Sequence, residues 1–275
     1  MAEKLPIAIV IPHAGLALPP ELAARVALTP AQIFNEADVY VDQLFDFREA
    51  VLHWVCFPYA RALLDVNRPD DTALTRPGDG IVKWQTSYGT AVYPPHQIPD
   101  ADLTRQLTQR YWQSWHEQLA TVARDERVKL VIDAHSMAAV GPGKYDDPGK
   151  LRPSVSVGNL GDTNGEPVGD RPWRVTAVPD LTRRFAQRLG ELLADVPVLA
   201  EVGAETAVND PFYGGYDLMA HGQASQPWLM IEVNRALYVG AQDGDTPPSP
   251  PNAAQIALIR QRLWQAILDL LSWLG

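Results

Sequence analysis

The strongest constraint on this chain is a set of short apolar runs that alternate with longer segments of helical spacing. The runs are 7–12 (IAIVIP), 51–57 (VLHWVCF), 61–66 (RALLDV), 128–134 (VKLVIDA), 154–158 (SVSVG), 197–202 (PVLAEV) and 227–233 (PWLMIEV). Several are apolar almost throughout rather than at every second residue. A strand with one wet face alternates, whereas a strand covered on both faces does not. The helical segments are 29–48, 100–125, 179–195 and 252–273; the second carries Leu103, Leu107, Tyr111, Trp115 and Leu119 as a core stripe. Strands alternating with helices predict an α/β fold in which a mixed, mostly parallel sheet lies between helices. No repeat or composition break divides the sequence, so a single domain over residues 1–275 is expected. Four stretches rich in Gly, Pro, Asp and Asn, 67–99, 138–153, 159–178 and 239–252, read as long loops of the kind that build sites.

Composition narrows the classes of function. Hydrophobic residues make up 46% of the 275, enough for a sizeable core. The formal net charge is −10 and no run of Lys and Arg occurs, which argues against a nucleic-acid partner. The single cysteine, Cys56, excludes an intramolecular disulfide and a thiolate-rich metal site, and within VLHWVCF it reads as a small core residue. No stretch is long enough to span a bilayer, and MAEKLPIAIVIPHAG lacks the basic start and the cleavage site of a signal peptide. The expected location is cytoplasmic, with no membrane partner; self-association stays open.

Sites in open α/β sheets gather at the carboxyl ends of strands. The polar residues in such places are few: His13 after IAIVIP, Asn67 and Arg68 after ALLDV, His135 and Ser136 after VIDA, and Glu232 and Asn234 in LMIEVN. Two imidazoles and one carboxylate form a usual catalytic zinc set, so His13 and His135 are candidate ligands, with Asp38 or Glu36 as the acid. Read blandly, those two acids are solvated residues of a first helical turn. Glu232 sits inside an apolar strand, where a carboxylate is costly unless paired or used; the functional reading is a general base. Arg68 beside Asn67, with Arg61 one strand length earlier, suits a substrate carboxylate, against a structural ion pair of Arg68 with Asp65, Asp70 or Asp71. Gly214 and Gly215 in FYGGY offer a place where backbone approaches a ligand, or simply a turn. Asp133, two residues before His135, is a candidate to orient that ligand from behind, against a purely structural role. No GxSxG elbow, Walker A loop, HExxH helix or GxGxxG fingerprint is present.

IPHAG at 11–15, EADVYVDQLFD at 36–46, ARALLDVNRP at 60–69, DAHSM at 133–137, the YGGY turn at 213–216 and IEVNRALY at 231–238 occur in that order. This ordered set resembles the N-formylglutamate amidohydrolase (deformylase) family, over roughly residues 7 to 240. The resemblance implies a three-layer, zinc-exopeptidase-like α/β fold and metal-dependent hydrolysis of a linear amide in an N-formyl or N-acyl amino acid. It implies one divalent metal, zinc first, held by His13, Asp38 and His135, with Glu232 catalytic and Asn67 and Arg68 on the substrate carboxylate. One departure bears on substrate. The family carries arginines around the GGY turn, whereas NDPFYGGYDLMAHG has Asp210 and Met219-Ala220 there, which argues against a dicarboxylate. The competing expectations are a carboxypeptidase-like or cell-wall-amidase-like peptide hydrolase and a non-catalytic carboxylate-binding module.

Overall fold

A computed structural model of the chain describes residues 3–71, 75 and 77–275; residues 72–74 and 76 of the expected 67–99 loop lie outside the described residues. Six strands, β1 (Leu5–Ile11), β2 (Val51–Cys56), β3 (Leu130–Met137), β4 (Val155–Gly158), β5 (Thr206–Val208) and β6 (Trp228–Asn234), form one sheet in the order β2-β1-β3-β6-β4-β5. β1, β2, β3 and β6 run parallel; β4 is antiparallel to β6, with β5 parallel to β4. The sheet is therefore mixed and mostly parallel, and the carboxyl ends of its four parallel strands share one rim.

Alternate side chains of each strand enter different cores. Ile7, Ile9, Ile11, Ile132 and Ile231 pack with Leu44 of α2 (Val41–Leu44), Phe185 of α5 (Pro179–Leu193) and Leu263 of α6 (Ala253–Ser272). On the other face Ala8, Val10, Val131, Trp228 and Met230 pack with Leu107 of α3 (Ala101–Leu107) and with Trp115 and Leu119 of α4 (Ser114–Arg124). The continuous apolar runs follow from this double cover. α6 alone buries Ile256, Ile259, Leu263, Ile267 and Leu270. Each such side chain is worth about 1.5–3 kcal/mol relative to exposure, which explains why the helix after the proline-rich linker docks.

Three expectations are corrected. The 29–48 segment is not one helix. It starts as α1 (Pro30–Glu36), with a capping box between Thr29 and Gln32, then breaks at Ala37, in extended conformation, and at Tyr40, at φ 64°, before α2. The 61–66 run is a buried turn rather than a strand: the amides of Leu63 and Leu64 both donate to the Ala60 carbonyl, and Ala62, Leu63, Leu64 and Val66 are apolar because they sit in the core. The 197–202 run is irregular, with Val198 and Leu199 exposed, and the edge strand forms later as β5. The 100–125 helix runs through, with a π-helical stretch at Thr108–Gln113 between α3 and α4. Cys56 is half-buried, and its thiol is pushed up to about 12 by burial, then by Asp42.

Candidate metal centre

The break after α1 exists where Asp38 is presented. The Asp38 amide donates to the carbonyl of His13 at 3.0 Å, tying the broken helix to the end of β1. His135, at the end of β3, arrives from the neighbouring strand. Its register partner in β6 is Glu232, so these two side chains stand beside each other on one face. His13, Asp38, His135 and Glu232 are all buried and line a cavity of about 110 Å³.

Both imidazoles point Nδ1 at the same oxygen. Asp38 Oδ2 lies 3.5 Å from His13 Nδ1 and 3.1 Å from His135 Nδ1, and the three ligand atoms lie within 4.8 Å of one another. His13 Nδ1 is buried and has no hydrogen-bond partner. The opposite ring nitrogens face carboxylates: His13 Nε2 meets Asp65 Oδ1 at 2.7 Å, and His135 Nε2 lies 3.0 Å from Asp133 Oδ1. The second contact is out of hydrogen-bond alignment, and Asn67 Nδ2 also stands 3.4 Å from that nitrogen. Imidazoles backed by carboxylates, with both Nδ1 atoms converging on a third carboxylate and that of His13 left unpaired, suit a divalent cation. An orphaned buried nitrogen is otherwise hard to account for.

The electrostatics agree with a cation position. Burial alone would raise Asp38, but the His13 and His135 imidazoles beside it and the charge of Arg61 hold it well below the usual carboxylate range. Burial would lower His135, yet Asp133, Asp38 and Glu232 hold it well above the usual histidine value. Glu232 is pushed up to about 7, chiefly by burial, with His135 drawing it down and Asp38 adding to the rise. Its Oε2 has no partner.

The remaining expected residues fall around this centre. Glu36 is turned away from the two histidines and held by Lys83 Nζ at 2.8 Å and by the amide and hydroxyl of Ser87. Arg61 and Arg68 line the cavity with their guanidinium groups engaged: Arg61 by Asp65 at 3.2 Å, Arg68 by Asp65 at 3.3 Å and Asp79 at 3.1 Å. Asn67 also lines it, and its Oδ1 accepts from the Asp217 amide at 2.7 Å. Gly214 and Gly215 border the cavity too. A Cβ at Gly215 would sit 2.2 Å from Asn67 Nδ2, so the close approach this glycine permits is that of Asn67. Sequence reasoning gave Asp65 only as an ion-pair partner of Arg68 and missed it behind His13. It also missed Arg152 and Arg235, which line the cavity. A signal for Arg235 was its place three residues past Glu232 at the same strand end.

Fold and site together define a three-layer α/β protein with a candidate metal centre of two histidines and an aspartate at its strand ends. The family model for N-formylglutamate amidohydrolase matches residues 5–239, and the chain belongs to that family of amide hydrolases. An N-formylglutamate deformylase from Pseudomonas putida is 28% identical over 274 residues, covering 96% of this chain and 93% of that protein. The crystal structure of an N-formylglutamate amidohydrolase from Ralstonia eutropha JMP134 matches with a TM-score of 0.68 and 21% identity, over 99% of this chain and 95% of that one. A gene product of Agrobacterium tumefaciens matches with a TM-score of 0.59 and 15% identity, over 97% and 92%. Among the described residues no helix is long and apolar enough to cross a membrane.

Proposed function

We propose that this chain acts as one catalytic domain over residues 1–275 and hydrolyses the amide of a small N-acyl amino acid; the deformylase relative makes N-formyl-L-glutamate the first substrate to test, against the expectation that the missing arginines at the GGY turn disfavour a dicarboxylate. The observation that carries this reading is the pair of imidazoles sharing one Asp38 oxygen, with Glu232 beside His135 on the same face. His13, Asp38 and His135 would hold the metal. Bound there, a divalent cation, zinc by this donor set, supplies a Lewis acid that lowers the pKa of water and polarises an amide carbonyl.

The chain's own residues do the rest. Asp65 and Asp133 fix the orientation of the two imidazoles from behind. Glu232 takes a proton from the attacking water and delivers it to the leaving nitrogen as the C–N bond breaks, giving a free acid and a free amine. The pull of burial on Glu232 places its proton affinity near neutrality, where a group both accepts and releases. An arginine of the cavity wall meets the carboxylate end of the substrate. A cavity of about 110 Å³ suits a small N-acyl amino acid better than an extended peptide.

Elemental analysis of protein purified without a His-tag, with formate release from N-formyl-L-glutamate, tests the proposal. About one transition metal per chain and steady formate release are expected. A chain that takes up no metal when zinc is added would sink it.

A further inference from the structure

The cations around the cavity differ in what already neutralises them. Arg61 faces Asp65 and Asp38, Arg68 faces Asp65 and Asp79, and Lys83 faces Glu36 and Asp79. Arg152 is clamped by both oxygens of Asp147, at 2.7 and 2.9 Å, beneath Phe212 and Tyr145. Arg235 is the exception. It is 5% exposed and lines the same cavity, and among the described residues no carboxylate comes within ion-pair distance of it. Its Nη1 donates to two main-chain carbonyls, Asn35 and Ala37, both at 3.0 Å. Its buried Nε has no partner, and Nη2 makes no hydrogen bond to any described residue.

A buried guanidinium without a counter-charge is costly, and the cost is removed when a ligand brings the anion. The placement suits this. Arg235 follows β6 directly, in a turn started by Asn234, whose side chain accepts from the Ala236 amide. Glu232 lies three residues earlier, within β6, so the general base and the free guanidinium sit at one strand end. The bonds to Asn35 and Ala37 fix one edge of the guanidinium against the segment that carries Asp38, leaving the other donors for a planar acceptor.

We infer that Arg235 is the specificity-determining cation of the site and receives the carboxylate of the substrate, while Arg61, Arg68 and Arg152 serve the protein's own acids. This rests on the amidohydrolase reading above and assigns the charge its substrate must carry. A ligand with the carboxylate replaced by a carboxamide keeps the shape and loses the charge, so it should lose what Arg235 supplies.

The test is calorimetric binding to metal-loaded Glu232→Gln protein of N-formyl-L-glutamate and its two monoamides, at the α- and the γ-carboxyl. Metal content is measured on every variant. Arg235→Met should weaken the diacid by about 10- to 100-fold, the range of a hydrogen-bonded charge. One of the two monoamides should lose a similar factor in the parent and nothing further in Arg235→Met. Arg235→Lys should recover part of the affinity, and Arg68→Met should keep the discrimination between acid and amide. Equal weakening of all three ligands, or loss of metal in Arg235→Met, would overturn the assignment and make Arg235 a staple of the Asp38 segment. Discrimination that vanishes in Arg68→Met instead would move the role there. A parent that binds metal but none of the three ligands overturns the carboxylate assignment alone, whereas a parent that takes up no metal fails the underlying reading.

Discussion

Two histidine–aspartate clusters touch adjacent residues, Asn67 and Val66, and behave in opposite ways. In the first, His13 and His135 stand edge to face, 4.9 Å between centroids at 64°, and both aim Nδ1 at Asp38. In the second, His116 and His221 stack at 5.2 Å and 20° and bond each other, Nδ1 to Nε2 at 2.9 Å. His116 Nε2 donates to the Val66 carbonyl at 3.0 Å, so its Nδ1 is the acceptor and His221 the donor. Both rings are held neutral, pushed down to about 4 by burial first, then by the charge of His221 on His116 and of Arg124 on His221. The nearby Asp217 accepts from Trp115 Nε1, and burial raises it well above the usual carboxylate value. Composition does not make a metal site. Imidazole nitrogens that converge on one carboxylate, with further carboxylates behind the rings, can, and two imidazoles that satisfy each other do not.

The largest effect should come from breaking the first cluster alone. His13→Ala with His135→Ala should abolish metal retention and lower hydrolysis by about 10³-fold or more, as expected when several kcal/mol of Lewis-acid stabilisation is lost. His221→Ala should retain the metal. Elemental analysis of both proteins checks this, and loss of metal in the second would erase the distinction between the clusters.

Next in size is Glu232→Gln. A general base contributes about 10²- to 10⁴-fold, so kcat should fall by that order while metal content holds. A variant that keeps wild-type kcat would remove Glu232 from the chemistry.

How much of this was legible in the sequence follows from locality. His13, His135 and Glu232 were readable because each ends or lies in an apolar strand, where a polar residue stands out. The residue pattern alone left Asp38 as one of two acids and the family resemblance chose it; the physical reason is the helix break that turns Asp38 to the histidines and Glu36 to Lys83. The buried turn at 61–66 passed for a strand because burial, not pairing, makes it apolar. Asp65 behind His13 is 52 positions away in sequence, and Arg235 differs from its neighbours only in lacking an acid, which no local pattern records.

A smaller effect, on stability rather than rate, separates the clusters from the other side. Truncating His116 to Ala leaves the Val66 carbonyl and the His221 donor without partners in a largely buried place. Denaturant unfolding should show a loss of about 1–3 kcal/mol with metal content unchanged. A variant as stable as the wild type would mean that the stacked pair contributes nothing to the fold.

The last contrast is a pH dependence. In the unfolded chain a histidine binds its proton near pH 6.5, but His116 and His221 in the fold do so only near 4. Between those values the unfolded state carries more protons than the folded one, so stability rises with pH across the window and falls as the solution is acidified. Above the upper value both states are neutral at these rings and the contribution is flat. His221→Gln separates this pair from every other titrating group, because a glutamine amide can still donate to His116 Nδ1 but takes up no proton. Unfolding free energies of wild type and variant from pH 7.5 to 4.5 should therefore converge as the pH falls, the variant having the shallower slope. The metal centre is common to both proteins, so its own response to acid cancels in the difference. Parallel curves would place the acid sensitivity elsewhere and leave the stacked histidines as packing alone.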